Sequence, residues 1–173
     1  DPTAALDAFE ARAEAEGAVI RRGVPAQSVG EGNLILTDGT RLEARALVVA
    51  AGFHAPRLLP FLRAKIRVTR QVELFFQAPP ELPAVPVFAA MEEGFYGFPL
   101  QDGCIKIADH RKGPTVMNVE QRLPATAQEE ALARAWLRQR MPALADAPPG
   151  RSGVCLYDNP WEDRLFMGTG TGT

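Results

Sequence analysis

The sequence has very few of the residues that build metal sites and disulfide frameworks. Its 173 residues include two cysteines, Cys104 and Cys155, and two histidines, His54 and His110. Disulfide-stapled domains and structural zinc sites need several such residues at short, regular spacings. We therefore expect neither a metal site nor a disulfide scaffold.

Long apolar runs and one-sided charge are also lacking. The longest wholly apolar stretches, such as 46–51, are far shorter than the roughly 20 residues needed to cross a bilayer. The first residues lack the basic and apolar regions of a signal peptide. Nineteen basic residues against 21 acidic ones leave a net charge of −2, with no long run of like charge. We expect a cytoplasmic protein that binds neither nucleic acid nor a membrane.

The chain does have the composition of an ordinary folded domain. It is 46% hydrophobic and 23% charged, enough to bury one good core or two small ones. The residue patterns predict an α+β fold, with a mixed, largely antiparallel sheet and flanking helices. They predict helices over 2–16 and from the capping box Thr126–Glu129 to Pro142, and strands over 18–22, 24–29, 34–37, 41–50, 66–76, 87–90, 152–157 and 165–167, with 46–50 buried on both faces.

The strand over 66–76 has a readable alternation. Its apolar face is interrupted by Arg70, for which we expect a structural salt bridge, the alternative being a contact with a substrate carboxylate. One face carries Val68, Arg70, Val72, Leu74 and Phe76, and the other carries Thr69, Gln71, Glu73 and Phe75.

A hairpin between Gly94 and His110 is the strongest local signal. Asp102-Gly103 is a turn dipeptide between two β-prone runs. On the second strand a period of two places Lys106, Ala108 and His110 on one face, where the small alanine leaves space between an ammonium and an imidazole. Two interpretations are open: a floor for a ligand, or a solvated sheet edge with a surface histidine.

Five sequence blocks, in order, resemble one enzyme family. They are Val-Val-Ala-Ala-Gly at 48–52, Thr-Arg-Gln-Val-x-x-Phe-Phe at 69–76, Phe-Tyr-Gly-Phe-Pro at 95–99, Lys-x-x-x-His at 106–110 and Gly-Val-Cys-Leu-Tyr at 153–157. Together they resemble monomeric sarcosine oxidase and its relatives, the N-methyltryptophan and pipecolate oxidases. These are FAD-dependent amine oxidases of the D-amino acid oxidase superfamily. Phe53 departs from the pattern, since tryptophan often follows this glycine in the family.

The resemblance implies three residues of a catalytic site. Lys106 matches a lysine near the flavin, where a fixed positive charge favours electron transfer to oxygen. His110 matches an active-site histidine that positions the amine substrate. Tyr96 matches a tyrosine over the substrate pocket.

Hairpin register decides whether Tyr96 can join the other two. If Asp102 and Gly103 are the only loop residues, Lys106 pairs with Pro99 and Tyr96 lies on the opposite face. A bulge or a longer loop is then needed to bring the tyrosine over.

The resemblance also implies four residues that bind the cofactor. Cys155 falls on the position that forms a thioether to the flavin ring, and Tyr157 lies on the same strand face. Ala51 and Gly52 fall where small residues let the backbone approach FAD. The residues alone leave alternatives open: a buried apolar thiol for Cys155 and an ordinary turn after a strand for Gly52.

The chain lacks the Gly-x-Gly-x-x-Gly strand-turn-helix that binds the FAD pyrophosphate. The resemblance therefore implies a middle fragment. Residues 1–65 are expected to be a partial FAD-binding domain, 66–150 a substrate-binding domain and 151–173 a return into the FAD-binding domain.

From this we expect a parent protein that oxidises a secondary amine or amino acid. FAD takes the hydride and oxygen reoxidises the flavin, whereas the fragment alone is expected to be inactive. Two alternatives stay open: a dehydrogenase with a quinone acceptor, and a cofactor-free binding or interaction domain. Self-association through exposed strand edges is a further expectation.

Overall fold

The computed structural model describes residues 2–100, 102–121 and 123–161. Contacts among these residues divide the chain into two compact units, of which the first runs from residue 2 to 49 and the second begins at residue 50. The predicted strand over 165–167 and the Gly-Thr tail lie outside the described residues. The predicted domain boundaries after residues 65 and 150 stay a prediction.

The first unit is a helix followed by a three-stranded antiparallel sheet in the order β1-β2-β3. The helix agrees with the sequence prediction to within one residue. Its apolar side chains do not form a core, since Phe9 is 75% exposed. The elements are α1 (Pro2–Ala15), β1 (Ala26–Gly30), β2 (Asn33–Leu36) and β3 (Arg41–Glu43).

Two strand predictions in this region are wrong. Residues 18–22 and 44–50 form no strand, and Val48 is 92% exposed instead of buried on both faces. An apolar run becomes a central strand only when neighbouring strands take up its backbone hydrogen bonds. Within the described ranges, no strand pairs with residues 44–50.

The second unit is built around a five-stranded antiparallel sheet in the order β5-β6-β7-β4-β8. β5 and β8 form its edges. This sheet with its helices confirms the predicted α+β class. The strands are β4 (Ile66–Gln77), β5 (Phe88–Ala90), β6 (Phe95–Pro99), β7 (Cys104–Asp109) and β8 (Pro149–Pro160), and the helices are α2 (Ala55–Leu58), α3 (Ala127–Arg140) and α4 (Pro142–Ala145), with 3₁₀ turns at Gly52–His54 and Pro60–Ala64.

Helix α3 covers one face of this sheet and closes the core. Trp136 stacks on Phe95 with ring centroids 5.0 Å apart, and Leu137 is fully buried. The apolar face of β4 supplies the other side of the contact. The core residues are Val72, Leu74, Phe76, Phe95, Ile105, Ile107, Ala133, Trp136, Leu137, Leu144, Ala145 and Ala147.

Arg70 makes the structural salt bridge that the sequence predicted. Its side chain is 7% exposed and forms an ion pair with Glu129 at the start of α3. The guanidinium also donates to the carbonyl oxygens of Leu123, at 3.1 Å, and Pro124. Protein groups therefore satisfy this buried charge, and its guanidinium ties the middle of β4 to the helix N-terminus.

The hairpin of β6 and β7 forms, and its loop is longer than the two residues Asp102 and Gly103. Pro99 pairs with Ile105, and the amide of Leu100 donates to the carbonyl of Cys104 at 2.8 Å. Gly103 has φ of +80°, the left-handed conformation typical of the glycine that ends a longer hairpin loop. The register moves by one residue, so that Tyr96 pairs with Ala108 and joins the face of Lys106.

The N-terminus of α3 allows a direct test of the capping box. Thr126 accepts a hydrogen bond from the Glu129 amide at 3.2 Å, and its own amide donates to the Glu129 carboxylate at 2.8 Å. We expect Thr126→Ala to lower the free energy of unfolding by about 1 kcal/mol. Thr126→Ser, which keeps the hydroxyl, is the control. Chemical denaturation measures both, and equal stability of Thr126→Ala and wild type would contradict the capping role.

Candidate active site on the open face of the sheet

The face of the five-stranded sheet opposite α3 carries most of the residues that the sequence singled out. Alternation along β4 turns Val72 and Leu74 toward α3, and so turns Glu73 the other way. Paired residues share a face, and one row of pairs runs Tyr96, Ala108, Glu73, Gly153 across four strands. We call this surface the site face, and define it by Gln71, Glu73, Tyr96, Lys106, His110, Cys155 and Tyr157.

Three rings meet at one end of the site face. The centroid of His110 lies 5.9 Å from that of Tyr96 and 5.7 Å from that of Tyr157, both edge-on. The two tyrosine hydroxyls are 3.4 Å apart and hydrogen-bonded. His110 itself is exposed, and its amide donates to the Gly94 carbonyl at 2.7 Å. The group presents two hydroxyls and an imidazole to anything that lies on this face.

Lys106 lies beside the rings, and its charge is paired. The ammonium forms an ion pair with Glu73, and the two side chains are 12% and 17% exposed. The same Nζ lies 5.3 Å from the ring centroid of Tyr96 and 5.1 Å from that of Phe98. One carboxylate and two ring faces therefore hold this cation in place.

Gln71 lies on the same face, 4% exposed. Its Nε2 donates to the Thr69 hydroxyl at 2.8 Å, and Asn159 donates to the same hydroxyl at 2.7 Å. The Oε1 atom of Gln71 is buried and has no hydrogen-bond partner among the described residues. A buried acceptor of this kind costs free energy until a ligand or water supplies a donor.

Cys155 pairs with Gln71 across the strands and so lies on the site face, half-buried, with its thiol outside any disulfide. Cys104, also outside any disulfide, lies on β7. Desolvation and the nearby Asp102 carboxylate raise the pKa of Cys104. A raised pKa keeps a thiol protonated and unreactive at neutral pH.

Ala51 and Gly52 take no part in these contacts. They form the start of the 3₁₀ turn Gly52–His54, which contacts β8, and Gly52 has φ of +51°. The site face thus unites five of the seven residues that the sequence selected, and the turn holds the remaining two.

Sequence reasoning missed Glu73 and Gln71. Alternation placed them with Thr69 and Phe75 on one strand face, but it did not show that this face lies beside Lys106 and Cys155. The signal that could have found them is the register between β4 and β7, which no local pattern encodes. Within the described residues, no cluster of three or more His, Cys, Asp or Glu side chains could hold a metal ion. None of the described helices has the length and apolar character of a membrane span.

Burial and the hydrogen bond with Tyr96 raise the pKa of Tyr157. We therefore expect Tyr157 to ionise above the ordinary tyrosine pKa of about 10. The unfolded chain loses this proton first, so the free energy of unfolding should fall as pH rises above that value. The chain has two tyrosines, so a spectrophotometric titration of tyrosinate in wild type and Tyr157→Phe isolates the residue. The wild-type curve should show an ionisation step at high pH that the Tyr157→Phe curve lacks. Absence of such a step from the wild-type curve would contradict this expectation.

Known proteins resemble this chain in sequence and in fold. N-methyl-L-tryptophan oxidase of Escherichia coli (strain K12) is 26% identical over 147 residues, which cover 80% of this chain and 38% of that protein. The chain thus spans well under half the length of this relative. Fructosamine oxidase (Amadoriase II) from Aspergillus fumigatus superposes with a TM-score of 0.63 at 23% identity, over 78% of this chain and 37% of that chain.

A second solved structure, L-proline dehydrogenase from P. horikoshii, has a TM-score of 0.74 at 16% identity and covers 92% of this chain and 44% of that chain. At such identities these likenesses show the fold. The family described as FAD dependent oxidoreductase (DAO) matches residues 1–172 of the sequence. The chain therefore belongs to the family of FAD-dependent oxidoreductases.

Proposed function

We propose that the whole protein oxidises a secondary amine or an amino acid with FAD as its hydride acceptor. The observation that carries the proposal is the convergence of Tyr96, Lys106, His110 and Tyr157, from three strands, on one face of the sheet. Such a polar and aromatic group on a rigid sheet is typical of a substrate site.

The residues of the site face fit a flavin ring. Gln71 offers a buried acceptor that no described residue satisfies, and a flavin ring has an N–H group that could donate to it. Cys155 offers a half-buried thiol on the same face. The bound cofactor would supply a two-electron acceptor for the substrate hydride. On this chain, Gln71, Cys155 and Tyr157 would hold it, and Ala51 and Gly52 would admit it by their small size.

The remaining residues would bind and orient the amine. His110 and the paired hydroxyls of Tyr96 and Tyr157 can exchange hydrogen bonds with an amine nitrogen. Their rings would also exclude water from the reacting carbon. A tyrosine with a raised pKa stays a neutral hydrogen-bond donor throughout the physiological range.

The electron acceptor has two candidates. Oxygen is the first, because Lys106 would put a positive charge beside the developing anion. A quinone-type acceptor is the second, and the contact of Glu73 with the Lys106 ammonium favours it, since the carboxylate offsets that charge. In both cases water hydrolyses the product imine.

Anaerobic reduction tests the proposal directly. Mixing the flavin-loaded whole protein with an N-methyl amino acid should bleach the flavin absorbance. We expect His110→Ala to slow this step by roughly a hundredfold, the lower end of general acid–base contributions. His54→Ala is the control, because His54 is the other histidine and lies in the 3₁₀ turn.

Two outcomes would contradict the proposal. One is a whole protein that carries no flavin, which would favour the cofactor-free binding domain. The other is a bound flavin that no secondary amine or amino acid reduces.

Covalent attachment has its own test. If the Cys155 sulfur bonds to the flavin, acid precipitation should give a yellow pellet from wild type and a colourless pellet from Cys155→Ser. Cys104→Ser, which changes the other thiol of the same sheet, should leave the pellet yellow. Absorption spectra of pellet and supernatant measure this. Flavin released from the wild-type protein would return Cys155 to an ordinary strand thiol.

A further inference from the structure

The ion pair between Glu73 and Lys106 is unusual in its surroundings. Both side chains are more than four-fifths buried, and Glu73 belongs to β4, an interior strand that lies between β7 and β8. The pair lies diagonally across β4 and β7, since Glu73 is opposite Ala108 and Lys106 is opposite Phe75. Most of the other ion pairs between described residues are at more exposed positions, where they contribute little.

The Glu73 carboxylate also has a defined position. A Cβ built on Gly153, which pairs with Glu73, would lie 3.0 Å from Glu73 Oε2. Because Gly153 has no side chain, it leaves room for Oε2 of Glu73 beside β8. The other oxygen, Oε1, contacts the Lys106 ammonium. With the rings of Tyr96 and Phe98 on its other sides, the Lys106 head group is confined to one position.

We propose that Glu73 is a positioning residue that holds Lys106 in place and offsets its charge, so that the wild-type protein reacts slowly with oxygen. The inference rests on the proposed function. Oxygen takes two electrons and two protons to become hydrogen peroxide, and the first electron makes it an anion. An unpaired ammonium in a dry site stabilises that charge, whereas an ammonium paired with a carboxylate does so much less.

The matched set of variants is Glu73→Gln, Lys106→Met, the double variant and Glu130→Gln. Glutamine keeps the shape of glutamate without its charge. Glu130 is the control, because it pairs with Arg134 on α3, across the sheet from the site face.

The first readout is the rate at which oxygen reoxidises the reduced flavin of the whole protein. Glu73→Gln should raise this rate roughly tenfold, and Lys106→Met should lower it. In the double variant the increase in oxygen rate caused by Glu73→Gln should vanish, because that increase depends on the positive charge of Lys106. Glu130→Gln should match wild type.

Two further readouts do not depend on turnover. The two-electron midpoint potential of the flavin should be more positive in Glu73→Gln, by about 30 mV for a tenfold change in the reduction equilibrium. Acylation of Lys106 by an amine-reactive ester, followed by peptide mass spectrometry, should be faster in Glu73→Gln because the head group is no longer held.

Unchanged acylation of Lys106 in Glu73→Gln would overturn the positioning role. If amines reduce the flavin of Glu73→Gln but its oxygen rate and midpoint potential equal those of wild type, the proposed effect of Glu73 on the reaction with oxygen would be overturned. Failure of the proposed function appears differently, as a protein without flavin or a flavin that no amine reduces. In that case the acylation rate still decides whether Glu73 holds Lys106.

Discussion

The pairing of β4 with β7 on one side and β8 on the other is the constraint on which the site depends. It brings residues near positions 70, 106 and 155, which are far apart in sequence, into adjacent rows of one sheet. Antiparallel pairing also fixes the face on which each side chain lies. A slip of one residue at either pairing would turn Lys106 or Cys155 into the core.

The two faces of β4 have different roles. On one face, Val72, Leu74 and Phe76 pack under α3. Arg70 lies on the same face, and Glu129 neutralises its charge. The other face carries the Glu73 carboxylate and the Gln71 acceptor, which has no partner in the part of the chain that the structure describes. Stability comes mainly from the first face, since burial of apolar area contributes far more than a buried ion pair, whose desolvation cost offsets much of its attraction. The second face is thus free to carry chemistry.

Local patterns predicted the local structure well. The capping box at Thr126, the position of the hairpin and the structural role of Arg70 follow from turn chemistry and alternation. The common face of Lys106 and His110 follows from the period of two. All of these depend on residues close in sequence or on one strand.

Properties set by distant strands were not readable in the same way. Whether Tyr96 reaches the site face depends on one residue of loop length, which the Asp102-Gly103 dipeptide did not reveal. The partner of Lys106 depends on the pairing of β4 with β7, and two other strands lie between them in sequence. The apolar run 46–50 predicted burial, but pairing partners decide whether such a run becomes a strand.

A structure of the whole protein with FAD bound would test the account most directly. The quantity to measure is the closest distance between the flavin ring and the side chains of Lys106, Tyr157 and Cys155. The account predicts that the ring lies against the site face, within van der Waals contact of at least Tyr157 and Cys155. A flavin ring bound elsewhere, with the site face covered by protein side chains, would contradict it.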